Sequence, residues 1–158
     1  MFRELTRKNK ELPLESCLDV LKSEKRGVLS VCGDEGYPYG MPMNHFYNEE
    51  DGCIYFHTGI GGHRQDALSA CDKVSFCVFD QGYAREGEWA LNVKSVIIFG
   101  RIEILDDQEL IADITRKLCY KFIQDEDYIA REIENFAHET LLLRLKPEHI
   151  CGKLVTES

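Results

Sequence analysis

Gly59-Ile60-Gly61-Gly62-His63-Arg64 gathers residue types that can hold a phosphate. Three glycines in four positions let the backbone turn sharply and bring its N–H groups close to a ligand. Cys53 to Thr58, just before, is rich in aromatic and β-branched residues and reads as a strand. Arg64 to Ala70, just after, contains no helix breaker and reads as a short helix. Its free first-turn amides and the positive end of its dipole would face the turn, where His63 and Arg64 add side-chain donors. Together these parts form a candidate phosphate cradle. The loop is not a Walker sequence, and a Rossmann fingerprint would need glycine where Arg64 stands. A solvated strand-to-helix turn accounts for the same residues equally well.

Other groups offer less chemistry. The seven cysteines include no C-x-x-C pair and fall mostly on apolar faces, so they read as small core residues of a reducing compartment. The five histidines show no metal-ligand spacing. Nothing therefore predicts a metal, and no GxSxG or Cys/His context points to a catalytic nucleophile. Met41-Pro42-Met43-Asn44 is more suggestive. Pro38 and Pro42 interrupt an otherwise strand-like run from Tyr37 to Tyr47, which predicts an open or bulged edge around residues 41–43. Backbone groups freed there, with the Asn44 amide, could meet a ligand.

These residues need a frame, and 158 of them suffice for one domain spanning 1–158 with a real core. A hydrophobic fraction of 44% and a charged fraction of 30% are those of a folded chain. The net charge of −9 argues against a nucleic-acid partner. The charged N-terminus lacks an apolar signal segment, and no apolar run approaches the ~20 residues that span a bilayer, so a cytoplasmic protein without membrane contact is expected.

The periodicity supplies the elements. Leu14, Cys17, Leu18 and Leu21 make one face of a helix behind Pro13. Strands follow over 27–32, 37–47 and 53–58, joined by turns at 33–36 and 48–52. Lys73 to Asp80 is apolar on both faces and predicts a central, fully covered strand. A connection over 81–93 carries Trp89. Lys94 to Leu105 then alternates cleanly, with Gly100 marking a bulge or corner. Asp106 and Glu109 suggest a capping box for a helix bearing Leu110, Ile111, Ile114, Leu118 and Phe122. A second helix near 125–136 would turn Ile129, Ile133 and Phe136 inward. The last strand, 139–146, is expected to stop at Pro147, with 149–153 adding a short edge piece. Clustered strands without βαβ alternation predict an α+β fold, mainly an antiparallel barrel with flanking helices.

The ordered set Gly27-Val28-Leu29-Ser30, Gly36-Tyr37-Pro38-Tyr39-Gly40-Met41-Pro42-Met43-Asn44, Tyr55-Phe56-His57, Gly62-His63-Arg64-Gln65-Asp66-Ala67, Val74-Ser75-Phe76 and Ser95-Val96-Ile97-Ile98-Phe99-Gly100 resembles the pyridoxamine 5′-phosphate oxidase-related flavin-nucleotide-binding proteins. The branch it resembles most is that of the 5-nitroimidazole-resistance reductases. The resemblance implies a split β-barrel, a homodimer, and FMN at the subunit interface. It implies that Met41, Pro42, Met43 and Asn44 border the flavin ring, and that His57 and Thr58 lead into the phosphate loop. Gly62, His63 and Arg64 would hold the phosphate, while Trp89 and Ser95 add contacts. Relatives usually carry Lys at the position of Arg64, and many carry hydroxyl-rich residues where this chain has Trp89-Ala90-Leu91-Asn92-Val93-Lys94. The implied activity is flavin-dependent reduction of a small planar acceptor such as a nitroaromatic, with the redox chemistry belonging to the cofactor. A non-enzymatic flavin binder or sensor, and a split barrel holding haem through His45, His57 or His149, are the alternatives.

Overall fold

The computed structural model describes residues 1–157. Helix α1 (Leu14–Ser23) packs Cys17, Val20 and Leu21 inward. Strands β1 (Arg26–Cys32), β2 (Pro38–Asn44), β3 (Phe46–Asn48) and β4 (Cys53–Gly59) follow, and then α2 (His63–Ala70). The chain continues through β5 (Lys73–Phe79), β6 (Tyr83–Ala84) and β7 (Leu91–Leu105). Helices α3 (Gln108–Cys119) and α4 (Glu126–Phe136) precede β8 (Thr140–Glu157). All pairings are antiparallel, in the order β2-β1-β5-β7-β8-β4-β3, with β6 beside β7. The sheet curls into a split barrel, so that β2, at one end, adjoins β4, the strand next to the other end, without forming a ladder.

The long pair β7/β8 makes that curl possible. The register slips between Phe99 and Gly100, where Gly100 pairs with Pro147 and Phe99 with His149. A Cβ at position 100 would stand 2.2 Å from the Lys146 carbonyl oxygen, so only glycine fits. The anticipated corner is present, but Pro147 does not end the strand. A bulge already lacks a ladder hydrogen bond there, so a residue without an N–H costs little, and β8 runs unbroken to Glu157.

Other expectations need correction. The run 37–47 divides at His45, and of the open or bulged edge expected around 41–43 the open one is found: β2 ends the sheet, while β1 and β2 stay in register from Arg26↔Asn44 to Cys32↔Pro38. The prolines are tolerated because β2 is an edge strand. Four residues apart, they share the side that has no ladder to break. Helix α3 is capped by Asp107, whose side chain accepts from the Leu110 N–H, rather than by Asp106. Phe122 lies beyond its end, and Phe136 stays exposed. β5 is central but covered on one face only, leaving Ser75 and Cys77 half-buried and Phe79 exposed. Among the cysteines, Cys17 and Cys53 are buried, whereas Cys32 is exposed. No helix among the described residues is long and apolar enough to cross a membrane.

The core packs Leu29, Met41, Phe56, Phe76, Ile98 and Leu145 inside the curl. His45 is completely buried beside it and packs edge-on against Phe76. Its Nε2 lies 2.8 Å from the Leu21 carbonyl oxygen, which can only accept, so Nε2 carries the proton. Nδ1 is buried without a partner. Desolvation, then the nearby Lys121 charge, push the imidazole down to about 4.

A stability consequence follows with a definite sign. The folded imidazole stays neutral down to about pH 4, whereas the unfolded one protonates below 6.5. Between those values the unfolded chain binds more protons, so stability is lost as pH falls. The contribution is on the order of 3 kcal/mol for a shift from 6.5 to about 4. Urea unfolding of wild type and His45→Gln at pH 7 and at pH 4.5 should show a clearly smaller acid loss in the variant. Equal losses would mean that His45 does not titrate in this way.

Candidate functional site

The cleft between the ends of the sheet is lined by Arg26 from β1, Pro42, Met43 and Asn44 from β2, His57, Thr58 and Gly59 from β4, and Arg64 from α2, and encloses about 440 Å³. Each element arrives for a local reason. Helix α2 begins abruptly because Gly61 and Gly62 adopt φ of 82° and 88°, which side chains resist. The Gln65 and Asp66 amides both close onto the Gly62 carbonyl, so the His63 and Arg64 N–H groups have no backbone acceptor. The Gly61 N–H is already taken by Gln65 Oε1 at 2.6 Å.

Arg64 spans the seam. Its Nη1 donates to Thr58 Oγ1 on β4, and its Nε lies 3.2 Å from Met41 Sδ on β2. A thioether is a weak acceptor, so this guanidinium has unspent donor capacity at the helix start. Opposite it, Arg26 Nε donates to Asn44 Oδ1 at 2.8 Å, fixing the amide at the cleft wall. Two arginines in one concavity of a strongly acidic chain mark it for an anion. His57 keeps accessible surface at the mouth, yet the surrounding protein desolvates its ring and lowers its pKa. It is therefore neutral at physiological pH.

Of the residues singled out from sequence, Met41, Pro42, Met43, Asn44, His57, Thr58 and Arg64 come together here, and Gly62 supports them from the turn. His63 turns away. Its ring stacks on Tyr39 at 4.4 Å, and Nε2 lies 3.3 Å from an Asp34 carboxylate oxygen. Ser95 projects from the outer face of β7 opposite Phe79, and Trp89 is 81% exposed between β6 and β7, which take up parts of the connection expected over 81–93. Neither lines the cleft of its own chain. Of the three candidate haem ligands, His45 is sealed in the core and His149 stacks on Phe2, which leaves only His57 in a cavity. Arg26 was missed because it reads as the basic end of α1. Its signal was the hairpin, since a turn at 33–36 registers Arg26 against Asn44.

An antiparallel sheet curled this way, with its ends meeting over a cleft, defines a split-barrel protein. The sequence model for the pyridoxamine 5′-phosphate oxidase family matches residues 13–154, and the chain belongs to that family. Solved structures share the fold at low identity. A conserved hypothetical protein from Mycobacterium tuberculosis superposes with a TM-score of 0.80 at 16% identity, covering 95% of this chain and 90% of the other. A candidate 5-nitroimidazole antibiotic resistance protein from Bacteroides thetaiotaomicron gives 0.75 at 16% identity, covering 93% and 87%. An FAD-binding protein from Mesorhizobium loti gives 0.68 at 23% identity, covering 92% and 97%. No curated protein matches the chain significantly.

The electrostatics of the cleft make His57 a reporter. Its imidazole signals in an NMR titration should move with a midpoint below the ordinary 6.5, because desolvation is the cause of the shift. A midpoint at or above 6.5 would mean that the ring sits in water or beside an anion.

Proposed function

We propose that the protein binds FMN in the cleft between β2 and β4 and acts as a flavin-dependent oxidoreductase on a small planar acceptor. One observation carries the reading: the Arg64 guanidinium meets the Thr58 hydroxyl in a cleft walled by residues of the β2 edge, and Arg64 stands in the first turn of α2, whose opening amides have no backbone acceptor. Such donors suit a phosphate dianion. The flat wall of Pro42, Met43 and Asn44 suits a planar ring. Arg64 and the amides would hold the phosphate, and the edge of β2 and Asn44 would orient the ring. His63, tied to Asp34 and Tyr39, buttresses the loop and makes no phosphate contact from its present position. Bound FMN would supply the redox chemistry, and the chain's residues bind it and shield it from water. The Mesorhizobium loti relative, an FAD-binding protein, lends support.

Phosphate recognition makes FMN bind more tightly than riboflavin. Replacing Arg64 with Ala removes charged hydrogen bonds, which should cost roughly 1.5–3 kcal/mol, about ten- to a hundredfold in affinity. Flavin-fluorescence titrations of wild type and Arg64→Ala check both statements. Equal affinities for the two flavins, or an unchanged FMN constant in the variant, would remove the phosphate from the account.

The same reading assigns FMN to a homodimer interface. Its support is the outer face of β1, β5 and β7, where the register aligns Val28, Cys77 and Ile97 in one row and sets Phe79 beside Ser95 in the next. Phe79 is 55% exposed, and Arg26, which lines the cleft, also borders the depression beside Phe79. An apolar face of this kind, continuous with the cleft, suits a second copy carrying Ser95 and Trp89 towards the flavin. If FMN touches both subunits, linkage requires that it tighten the dimer. Sedimentation at several protein concentrations should therefore show a smaller dimer dissociation constant with FMN. A monomer at saturating FMN, or a dimer constant that ignores it, would defeat this assignment.

A further inference from the structure

A second cavity opens between α3 and α4, enclosing about 400 Å³, and it shares Asn44 and His57 with the first. It therefore adjoins the cleft across these two residues, and two amphipathic helices wall its far side. Leu118 and Ile133 supply the apolar floor, and Phe122, Tyr128 and Phe136 form an exposed rim. Phe136 keeps 52% of its surface exposed, which leaves the apolar face of α4 incompletely covered by the chain itself.

Two further observations define what the chamber takes. Among the described residues no arginine or lysine lines it, and Glu132 is the one carboxylate in its wall. Arg116, on α3, is already paired with Glu126 at 3.2 Å, and Lys25 rests over the Phe122 ring outside the lining. Moving an anion into such a space would strand its charge beside a carboxylate without a partner. The second observation is Thr115, in the middle of α3 at the chamber wall. Its hydroxyl oxygen is buried with no hydrogen-bond partner, although one rotamer of a helical threonine can donate to the carbonyl three or four residues earlier. Threonine in a helix has two accessible χ1 rotamers, so a ligand with a polar substituent could give this hydroxyl the partner it lacks.

We propose that the chamber between α3 and α4 is the acceptor pocket, and that it selects uncharged or cationic aromatic molecules with a hydrogen-bonding substituent while rejecting carboxylates and phosphates. Its role as the acceptor's berth rests on the flavin reading, but its charge selectivity does not. The proposal separates this chain's substrate from a phosphorylated one, despite the description of its family. The phosphate-binding groups all belong to the neighbouring cleft, where the cofactor would occupy them.

A matched series of probes tests it: para-nitrobenzyl alcohol, para-nitrobenzylamine and para-nitrobenzoate, titrated by calorimetry at neutral pH into the protein as purified. The alcohol and the amine should bind, and the benzoate should bind at least about tenfold more weakly than the alcohol. Thr115→Val, which conserves volume, should weaken the alcohol several-fold. Ile133→Trp, which fills the floor, should abolish its binding while leaving FMN affinity unchanged. Benzoate binding equal to that of the alcohol, or alcohol binding untouched by both substitutions, overturns the proposal. Failure of FMN to bind while the probes keep this order would refute the cofactor reading and leave the selectivity standing.

Discussion

The molecule depends on the close approach of β7 and β8 at Gly100. The Lys146 carbonyl oxygen lies where a Cβ at that position would stand, and the register slip beside Pro147 bends both strands at once. That bend adds to the sheet's own twist in bringing β2 and β4, at or next to its two ends, together. The cleft is a product of that meeting. Arg64 then spans the join, from Met41 on one side to Thr58 on the other.

Around that seam the chain divides its chemistry by charge. Its two cleft arginines face a concavity in a protein of net charge −9, while the adjoining chamber between α3 and α4 is apolar with one carboxylate. An anion is favoured in the first and penalised in the second. A phosphate-bearing cofactor and an uncharged aromatic acceptor would thus be sorted into neighbouring spaces, and Asn44 and His57 stand at the boundary of both. His57, kept neutral by desolvation, adds no charge to upset that division.

Much of this was legible in the sequence because local chemistry decided it. The glycines before Arg64 announced a sharp turn, and Gly61 and Gly62 make it with positive φ. The alternation of Val96, Ile98 and Ile102 gave the inward face of β7. What escaped was set by pairing between distant residues. Pro147 reads as a stop until Gly100 is seen opposite it, whereas Pro42 did announce the open edge that β2 forms. His63 stacks on Tyr39 and reaches Asp34, contacts that its place beside Arg64 in the sequence does not announce. Arg26 looks like a helix terminus until the hairpin sets it against Asn44. The α3–α4 chamber leaves no local signature, since its apolar residues follow the pattern of ordinary core-facing helices.

The central claim is that one helix start, Arg64 and Thr58 form a phosphate site. A crystal structure of the protein grown with FMN tests it most directly. The account predicts the phosphate within hydrogen-bond distance of the Arg64 guanidinium and the His63 and Arg64 amides, with the ring against Pro42 to Asn44. A phosphate bound elsewhere, with Arg64 still turned to Thr58 and Met41 and the cleft filled by water, would contradict it.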